Sequence, residues 1–298
     1  LIEDKLDMVY GLHGVQAPIL QSRNDVFIKS RLSALSHWFL LSENGPLSDK
    51  RVRLALNLAI DNHMLSKVQA QDTSIPQRCV GTEGQFGYNP DVMVHPFNQE
   101  KAKELLEEAG YPDGFTLKGL VADHSASLVQ MISAYLSDLR VNLEYEVVPR
   151  TVWMDKVPNA RMTGKGRYSG DFAVTPVDNP IMYTGFHHYI FLMSEGPFSL
   201  LNNKNFDEKF IGAMTDPIES EKKLQELDRY VHDEALLLFT VQSSVLVATR
   251  PGIDFEISNN GHMDTFTWLS LKDNRKETSH PEWSYDYLDF ETPIHPQE

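Results

Sequence analysis

Segments with strand patterns and segments with helix patterns alternate along this chain, and this alternation constrains the fold more than any other feature. Strands separated by helices predict a sheet with parallel pairs that is covered by helices, an α/β fold. Apolar residues at helical spacing predict helices at 50–68, 99–109, 126–140, 151–158, 205–214 and 218–237. Alternating or continuous apolar residues predict strands at 35–41, 114–122, 143–148, 171–177, 240–249 and 264–271.

The stretch AKELLEEAGYPDGFTL (102–117) shows how sharply one of these helices ends. Asn98 is a suitable N-cap, and Gly110 suits the position after the helix, where a left-handed residue closes it. Pro112 prevents continuation. We therefore interpret this punctuation as a structural joint between a helix and a strand.

Composition excludes several classes of function. The formal net charge is -15, which argues against a nucleic-acid partner and against docking on anionic lipid. No apolar run approaches the ~18 residues that suggest a membrane span. Cys79 is the only cysteine, so the chain has no internal disulfide and no cysteine-based zinc site. We expect Cys79 to be a small, partly buried side chain.

Signatures of catalysis are absent from the sequence. It contains no P-loop, no HExxH and no GxSxG motif. GKGRYSG (164–170) resembles a glycine fingerprint, but a strand follows it instead of a helix, so we interpret it as a flexible connection. We predict neither an enzyme nor a bound cofactor.

Two irregular stretches are the candidates for function. Residues 72–97 form a long loop without a steady period, and such loops are often functional. Asp178 follows a short apolar strand, where ligands collect in α/β sheets, although an Asx-type turn before Pro180 is the alternative. In FHHY (186–189) adjacent histidines point apart and chelate one ion poorly, so His187 is either a ligand contact or an ordinary histidine.

Two motifs resemble family 5 solute-binding proteins, the dipeptide- and oligopeptide-binding components of ABC importers. PLSDKRVRLALNLAID (46–61) is similar to the family pattern P-x-x-D-x-R-V-R-x-A-x-x-x-A-I-D. AKELLEEAGYPDGF (102–115) is similar to A-x-x-L-L-x-E-A-G-Y-P-D-G-F. The G-Y-x-P element between them is present as Gly87, Tyr88 and Pro90. The motifs stand in the family's order.

The resemblance implies a two-lobed protein that closes on its solute, with this chain covering mostly the second lobe. The fold is then a periplasmic-binding-protein-like lobe, a mixed sheet with flanking helices. Residues 1–33 would be a partial first-lobe segment, residues 34–271 the second lobe, and residues 272–298 an acidic tail or a return to the first lobe. The expected location is periplasmic or extracellular, with any membrane anchor in a missing N-terminal part.

The nature of the solute is left open by the resemblance. Peptide binders of the family carry a segment similar to W-x-x-D-Y-x-x-P after the strand equivalent to 171–175, whereas this chain has FAVTPVDNP (172–180). No Trp occupies the stretch, and Asp178 is out of register. Other family members take sugars, opines, metal chelates or haem, so we expect a peptide or another small organic solute.

The expected function is solute binding for an ABC importer, as a monomer that partners a membrane permease and binds no metal or nucleic acid. The alternative is the ligand-sensing domain of a transcriptional regulator with the same lobe. The strand end and the irregular stretches supply the expected ligand contacts, which are Phe86, Arg167, Thr175, Asp178, Tyr183 and His187.

Overall fold

The chain divides into two units, and unit 2 holds the predicted site residues. The computed structural model describes residues 5–12, 19–20, 22–70, 74–158, 168–179, 181–255, 257 and 270–271. Unit 1 comprises residues 1–33 and 244–298, and unit 2 is the continuous stretch 34–243. Residues 244–271, which the sequence analysis places in the second lobe, thus belong to unit 1. The assignment of residues to lobes remains a prediction.

Unit 1 contains two short antiparallel strand pairs. β1 (Met8–Tyr10) pairs with the end of β8 (Val241–Thr249), and β9 (Ile253–Asp254) pairs with β10 (Ser270–Leu271). Its apolar core includes Leu20, Val26, Ile28, Leu246 and Ala248. Of the predicted strand 264–271, only the last two residues are described, and they form β10.

Unit 2 is organised around three neighbouring parallel strands. Their bounds are β4 (Phe115–Ala122), β5 (Val141–Val148) and β6 (Phe172–Val177). β4 lies between the other two, with Ala122 opposite Val148 and Val121 opposite Val174. The carboxyl ends of the three strands therefore lie along one edge of the sheet.

Antiparallel strands complete the sheet beside β6. β2 (Phe27–Leu41) is antiparallel to β6 and places Trp38 opposite Thr175. β7 (Leu237–Leu238) pairs with β2, and β3 (Ser74–Pro76) pairs with the first residues of β8. The predicted loop 72–97 thus contains one short strand that the sequence analysis missed.

Helices cover the sheet of unit 2. The described α-helices are α1 (Lys50–Leu58), α2 (Asn62–Ala70), α3 (Gln99–Glu108), α4 (Ala126–Ser137), α5 (Arg150–Lys156), α6 (Thr184–His187), α7 (Lys204–Met214) and α8 (Ser220–Asp233). Two 3-10 turns (Gly45–Ser48 and Asp123–Ser125) and a π-helical turn (His188–Leu192) join them. No helix in these described stretches is both long enough and apolar enough to cross a bilayer.

The centre of the sheet is buried on both faces, which confirms the predicted α/β fold. On one face, Phe39 and Val174 pack with apolar side chains of α1, α3 and α4. On the other face, Leu40 and Ala173 pack with those of α5, α7 and α8. Successive residues of one strand thus enter two different cores, because side chains alternate across a sheet. This burial explains the apolar run at residues 38–41 of β2 and the nearly continuous apolar run of β6.

The predicted joint after α3 is confirmed. The Asn98 side chain accepts a hydrogen bond from the backbone N–H of Lys101 at 2.8 Å, as an N-cap should. Gly110 has a φ of 89°, and the N–H of Tyr111 donates to the carbonyl of Leu106 at 2.8 Å. The left-handed glycine thus closes the helix as predicted.

Two predicted helices were wrong in extent. The single helix 50–68 is two helices, because the Asp61 carboxylate accepts from the N–H groups of His63 and Met64 (3.1 and 3.0 Å) and starts a new helix there. The predicted helix 218–237 ends at Asp233 instead. Ala235 has a φ of 48°, which leaves the helix, and the next residues pair with β2 as β7.

Candidate functional site

Polar side chains follow each of the three parallel strands at their carboxyl ends. Asp123 and His124 come after β4, Arg150 begins α5 just after β5, and Asp178 comes directly after β6. The carboxylate of Asp123 lies 2.6 Å from Nδ1 of His124, and both side chains are exposed. Ligands of α/β sheets collect at this edge. Of these residues only Asp178 was predicted from the sequence, although the ends of the predicted strands 114–122 and 143–148 are a signal for the others.

His187 lies against the chain just after β6. Its Nε2–H donates to the carbonyl oxygen of Asp178 at 2.9 Å, and its ring meets Trp38 edge to face at 4.7 Å. Burial lowers the pKa of His187 to about 4 against the opposing effect of that hydrogen bond, so the ring is neutral at pH 7. Since the side chain is only 2% exposed, it supports the edge from within. Contact with a ligand stays a prediction.

Phe86 and Tyr183 lie side by side, although 97 positions separate them in the sequence. We call residues 77–92 the Phe86 loop and residues 181–192 the Tyr183 segment. The N–H of Phe86 donates to the carbonyl of Met182 at 3.1 Å, and the N–H of Thr184 donates to the carbonyl of Phe86 at 3.0 Å. The two rings are 5.7 Å apart. The backbone pairing therefore sets the distance between the rings.

Asn179 connects this pairing to the strand end. Its Nδ2 donates to Oε1 of Gln85 at 3.3 Å and to the carbonyl of Tyr183 at 2.9 Å, and the side chain is fully buried. Phe86, Asp178 and Tyr183 are thereby brought to one place. Asn179 was not among the predicted site residues, and its position next to Asp178 is the only signal for it in the sequence.

An exposed apolar surface forms where the loop and the segment meet. We call it the aromatic ledge and define it by Phe86, Tyr183 and Met214. The hydroxyl of Tyr183 donates to the sulfur of Met214 at 3.0 Å, while Phe86 and Met214 are 43% and 45% exposed. Aromatic rings and methionine sulfur adapt well to apolar partners. The ledge can therefore receive an apolar group beside the polar strand ends.

The interior beneath the edge holds uncharged polar groups. Thr175 is 3% exposed, and its hydroxyl lies 3.3 Å from the carbonyl of Pro176. Nδ1 of His37 lies 3.2 Å from the hydroxyl of Ser125. Burial, with a smaller effect of His124, lowers the pKa of His37 to about 4. Thr175, like His187, thus supports the edge and stays a prediction as a ligand contact.

Of the six predicted contacts, Arg167 lies outside the described residues. The adjacent histidines point to different surroundings, as predicted: His187 faces Trp38, and His188 faces Asp228. Within the described ranges, no group of three or more His, Cys, Asp or Glu side chains could hold a metal ion.

Comparison with known proteins places this chain in a class, the solute-binding proteins. The family model described as "Bacterial extracellular solute-binding proteins, family 5 Middle" matches residues 2–184. The chain therefore belongs to family 5 of the bacterial extracellular solute-binding proteins.

Individual relatives agree with this assignment. The chain is 25% identical over 232 residues to the glutathione-binding protein GsiB of Salmonella paratyphi A, a match that covers 74% of this chain and 44% of the relative. It is 35% identical over 74 residues to heme-binding protein A of Haemophilus influenzae, covering 25% of this chain and 14% of the relative. The chain thus spans less than half the length of these curated relatives.

A solved structure shows the same fold. The periplasmic binding protein DppA from Helicobacter pylori, in complex with the peptide STSA, superposes with a TM-score of 0.78 at 18% identity. The match covers 91% of this chain and 54% of that one. The predicted periplasmic-binding-protein-like fold is confirmed. GsiB, heme-binding protein A and DppA are all binding proteins by name, which gives no support to the regulator alternative.

Proposed function

We propose that the protein binds a small solute for an ABC importer, and that the carboxyl edge of its sheet in unit 2 supplies contacts to that solute. Membership of the solute-binding family over residues 2–184 carries this proposal. The position of the edge supports it, because Asp123, Arg150 and Asp178 follow neighbouring parallel strands. The function is binding without chemical conversion, in keeping with the names of its relatives.

The proposed solute is a peptide or another small organic molecule with both polar and apolar parts. The aromatic ledge offers an apolar surface, and the carboxylate of Asp178 can receive a cationic or hydroxylated group beside it. The names of the relatives support such solutes: one binds glutathione, one binds haem, and one structure holds a peptide.

The proposed setting is periplasmic or extracellular, with a membrane permease as the protein partner and no resident cofactor. The net charge of -15 supports a monomer that binds no nucleic acid, because it repels both a second copy of the chain and the negatively charged phosphates. In this proposal residues 1–33 belong to the first lobe and residues 34–271 to the second, while residues 272–298 are a tail or a return to the first lobe. Closure of the lobes would enclose the solute.

Thermal denaturation and titration calorimetry of the whole protein test the proposal, with glutathione, the peptide STSA and haem as probes. A bound solute at 100 times its Kd stabilises the folded state by about 2.7 kcal/mol, which raises the melting temperature. If none of these probes stabilises the protein and no co-purified solute does so, the proposed function is contradicted.

The variant Phe86→Ala tests the placement of the site. We expect about a tenfold weaker Kd for the probe that binds, equivalent to about 1.4 kcal/mol, because the ledge loses the more exposed of its two rings. Phe97→Ala is the matched control, since Phe97 is 48% exposed and instead contacts Tyr135 in the last turn of α4. If Phe86→Ala and Phe97→Ala bind the probe with equal affinity, the placement of the site at the ledge is wrong.

A further inference from the structure

A buried carboxylate lies between the two chain segments that carry the ledge. Asp228, on α8, has a side chain with no solvent exposure. Burying an ionised carboxylate is costly unless hydrogen-bond donors surround it. Its donors belong to the Phe86 loop: Oδ1 accepts from the N–H of Val80 at 3.0 Å, and the N–H of Gly81 lies 3.3 Å from Oδ1 and 3.2 Å from Oδ2.

The same carboxylate contacts the Tyr183 segment. Nε2 of His188 lies 3.3 Å from Oδ1 of Asp228, and both side chains are fully buried. His188 is five residues beyond Tyr183 and begins the π-helical turn that follows α6. One carboxylate thus joins a backbone turn of the Phe86 loop to a side chain of the Tyr183 segment.

Gly81 shows how closely the three parts approach one another. A Cβ atom at this position would lie 2.6 Å from the side-chain methyl of Thr184 and 3.1 Å from Oδ2 of Asp228. Only a glycine allows the loop to pass between the carboxylate and the Tyr183 segment. The contact is therefore specific to this backbone path.

Neighbouring contacts hold the same helix to the same loop. The amide of Gln225, one turn earlier on α8, donates to the carbonyl of Tyr88 at 3.1 Å, and the amide of Asn89 donates to the carbonyl of Gln225 at 2.7 Å. Those contacts reach only the loop. Asp228 differs because it also reaches the Tyr183 segment.

We propose that Asp228 is a positioning residue for solute binding, which fixes the Phe86 loop and the Tyr183 segment relative to each other through one shared carboxylate. The proposal rests on the proposed function and assigns no ligand contact to Asp228. Because the rings of Phe86 and Tyr183 are carried by these two segments, the geometry of the ledge depends on the carboxylate as well as on the backbone pairing of the segments.

The variant Asp228→Asn keeps the shape of the side chain and removes the second acceptor. The N–H of Gly81 lies near both carboxylate oxygens. Whichever oxygen the side-chain NH2 group of the asparagine replaces, this N–H therefore faces another donor. Hydrogen–deuterium exchange of the whole protein should show amides of the Phe86 loop and of the Tyr183 segment exchanging about tenfold faster, while β4 and β5 remain unchanged. Glu226→Gln is the matched control, because it makes the same chemical change on the exposed face of α8.

A second variant keeps the test informative if Asp228→Asn does not fold. His188→Phe removes only the imidazole and leaves the hydrogen bonds of Asp228 to the loop in place. If the carboxylate is shared, exchange should quicken in the Phe86 loop as well as around residue 188. Faster exchange around residue 188 alone would overturn the proposal.

Binding provides the readout that a purely structural role would not change. For whichever of glutathione, STSA and haem binds the unsubstituted protein, Asp228→Asn should weaken the Kd by about tenfold, and Glu226→Gln should leave it unchanged. Unchanged affinity in a loosened Asp228→Asn protein would overturn the positioning role. If glutathione, STSA and haem all fail to bind the unsubstituted protein and no co-purified solute is found, the proposed function is contradicted, and the exchange experiment alone decides whether Asp228 couples the two segments.

Discussion

Replacing Gly87 by Ala tests how tightly the Phe86 loop packs against its surroundings. Gly87 has a φ of 86°, and a Cβ atom there would collide with the hydroxyl of Thr184 and lie 2.7 Å from Cβ of Leu224. The left-handed backbone costs an alanine about 1–2 kcal/mol. The overpacking adds about 1–3 kcal/mol. We therefore expect Gly87→Ala to lower the free energy of unfolding by about 2–5 kcal/mol.

Gly84 offers a matched control within the same loop. Its φ of 85° is nearly identical, but the nearest atom to an added Cβ is the terminal methyl of Met182 at 3.7 Å. Gly84→Ala should therefore carry the backbone cost alone, about 1–2 kcal/mol. Urea denaturation followed by circular dichroism measures both variants. A difference below about 0.5 kcal/mol between them would refute the close packing, because overpacking of a rigid core costs more than that.

Two further predictions concern the stability of unit 2. Asp61→Ala should lower the free energy of unfolding by about 1 kcal/mol, since α2 loses its N-cap; urea denaturation measures it, and an unchanged midpoint would contradict the capping role. The buried rings of His37, His95 and His187 have pKa values lowered to about 4, 3 and 4, mainly by burial. In the unfolded chain these rings take up protons below about pH 6.5, while the buried rings stay neutral. The free energy of unfolding should therefore be highest above that pH and fall by about 2 kcal/mol per ring at pH 5. Unfolding curves that stay constant from pH 7.5 to pH 5 would contradict this.

The sequence predicted those parts of the fold that depend on interactions between residues close together in the chain. The end of α3 was predictable because Asn98 and Gly110 act on their own helix. The break at Asp61 was missed because the apolar spacing continues through it, so that periodicity concealed the cap. β7 was missed because its partner, β2, lies far away in the sequence.

The site was only partly predictable because its geometry depends on contacts between distant segments. The sequence indicated that Phe86, Asp178 and Tyr183 were in functional stretches, but Asn179 joins them through hydrogen bonds that no pattern reveals. Asp228 had a weak signal, since it occupies the apolar stripe of α8 between Leu227 and Val231. A carboxylate in such a stripe has to find donors, and the sequence does not say where.

The burial of Cys79 has a practical consequence for labelling. Its side chain is fully buried within the Phe86 loop, and burial, aided by Asp228, raises the pKa of the thiol far above its usual value. A thiol-reactive dye therefore has no reactive native cysteine to compete for it in this chain. In the variant Ile181→Cys, which replaces a side chain that is 58% exposed and two residues from Tyr183, the dye would report directly on events at the ledge.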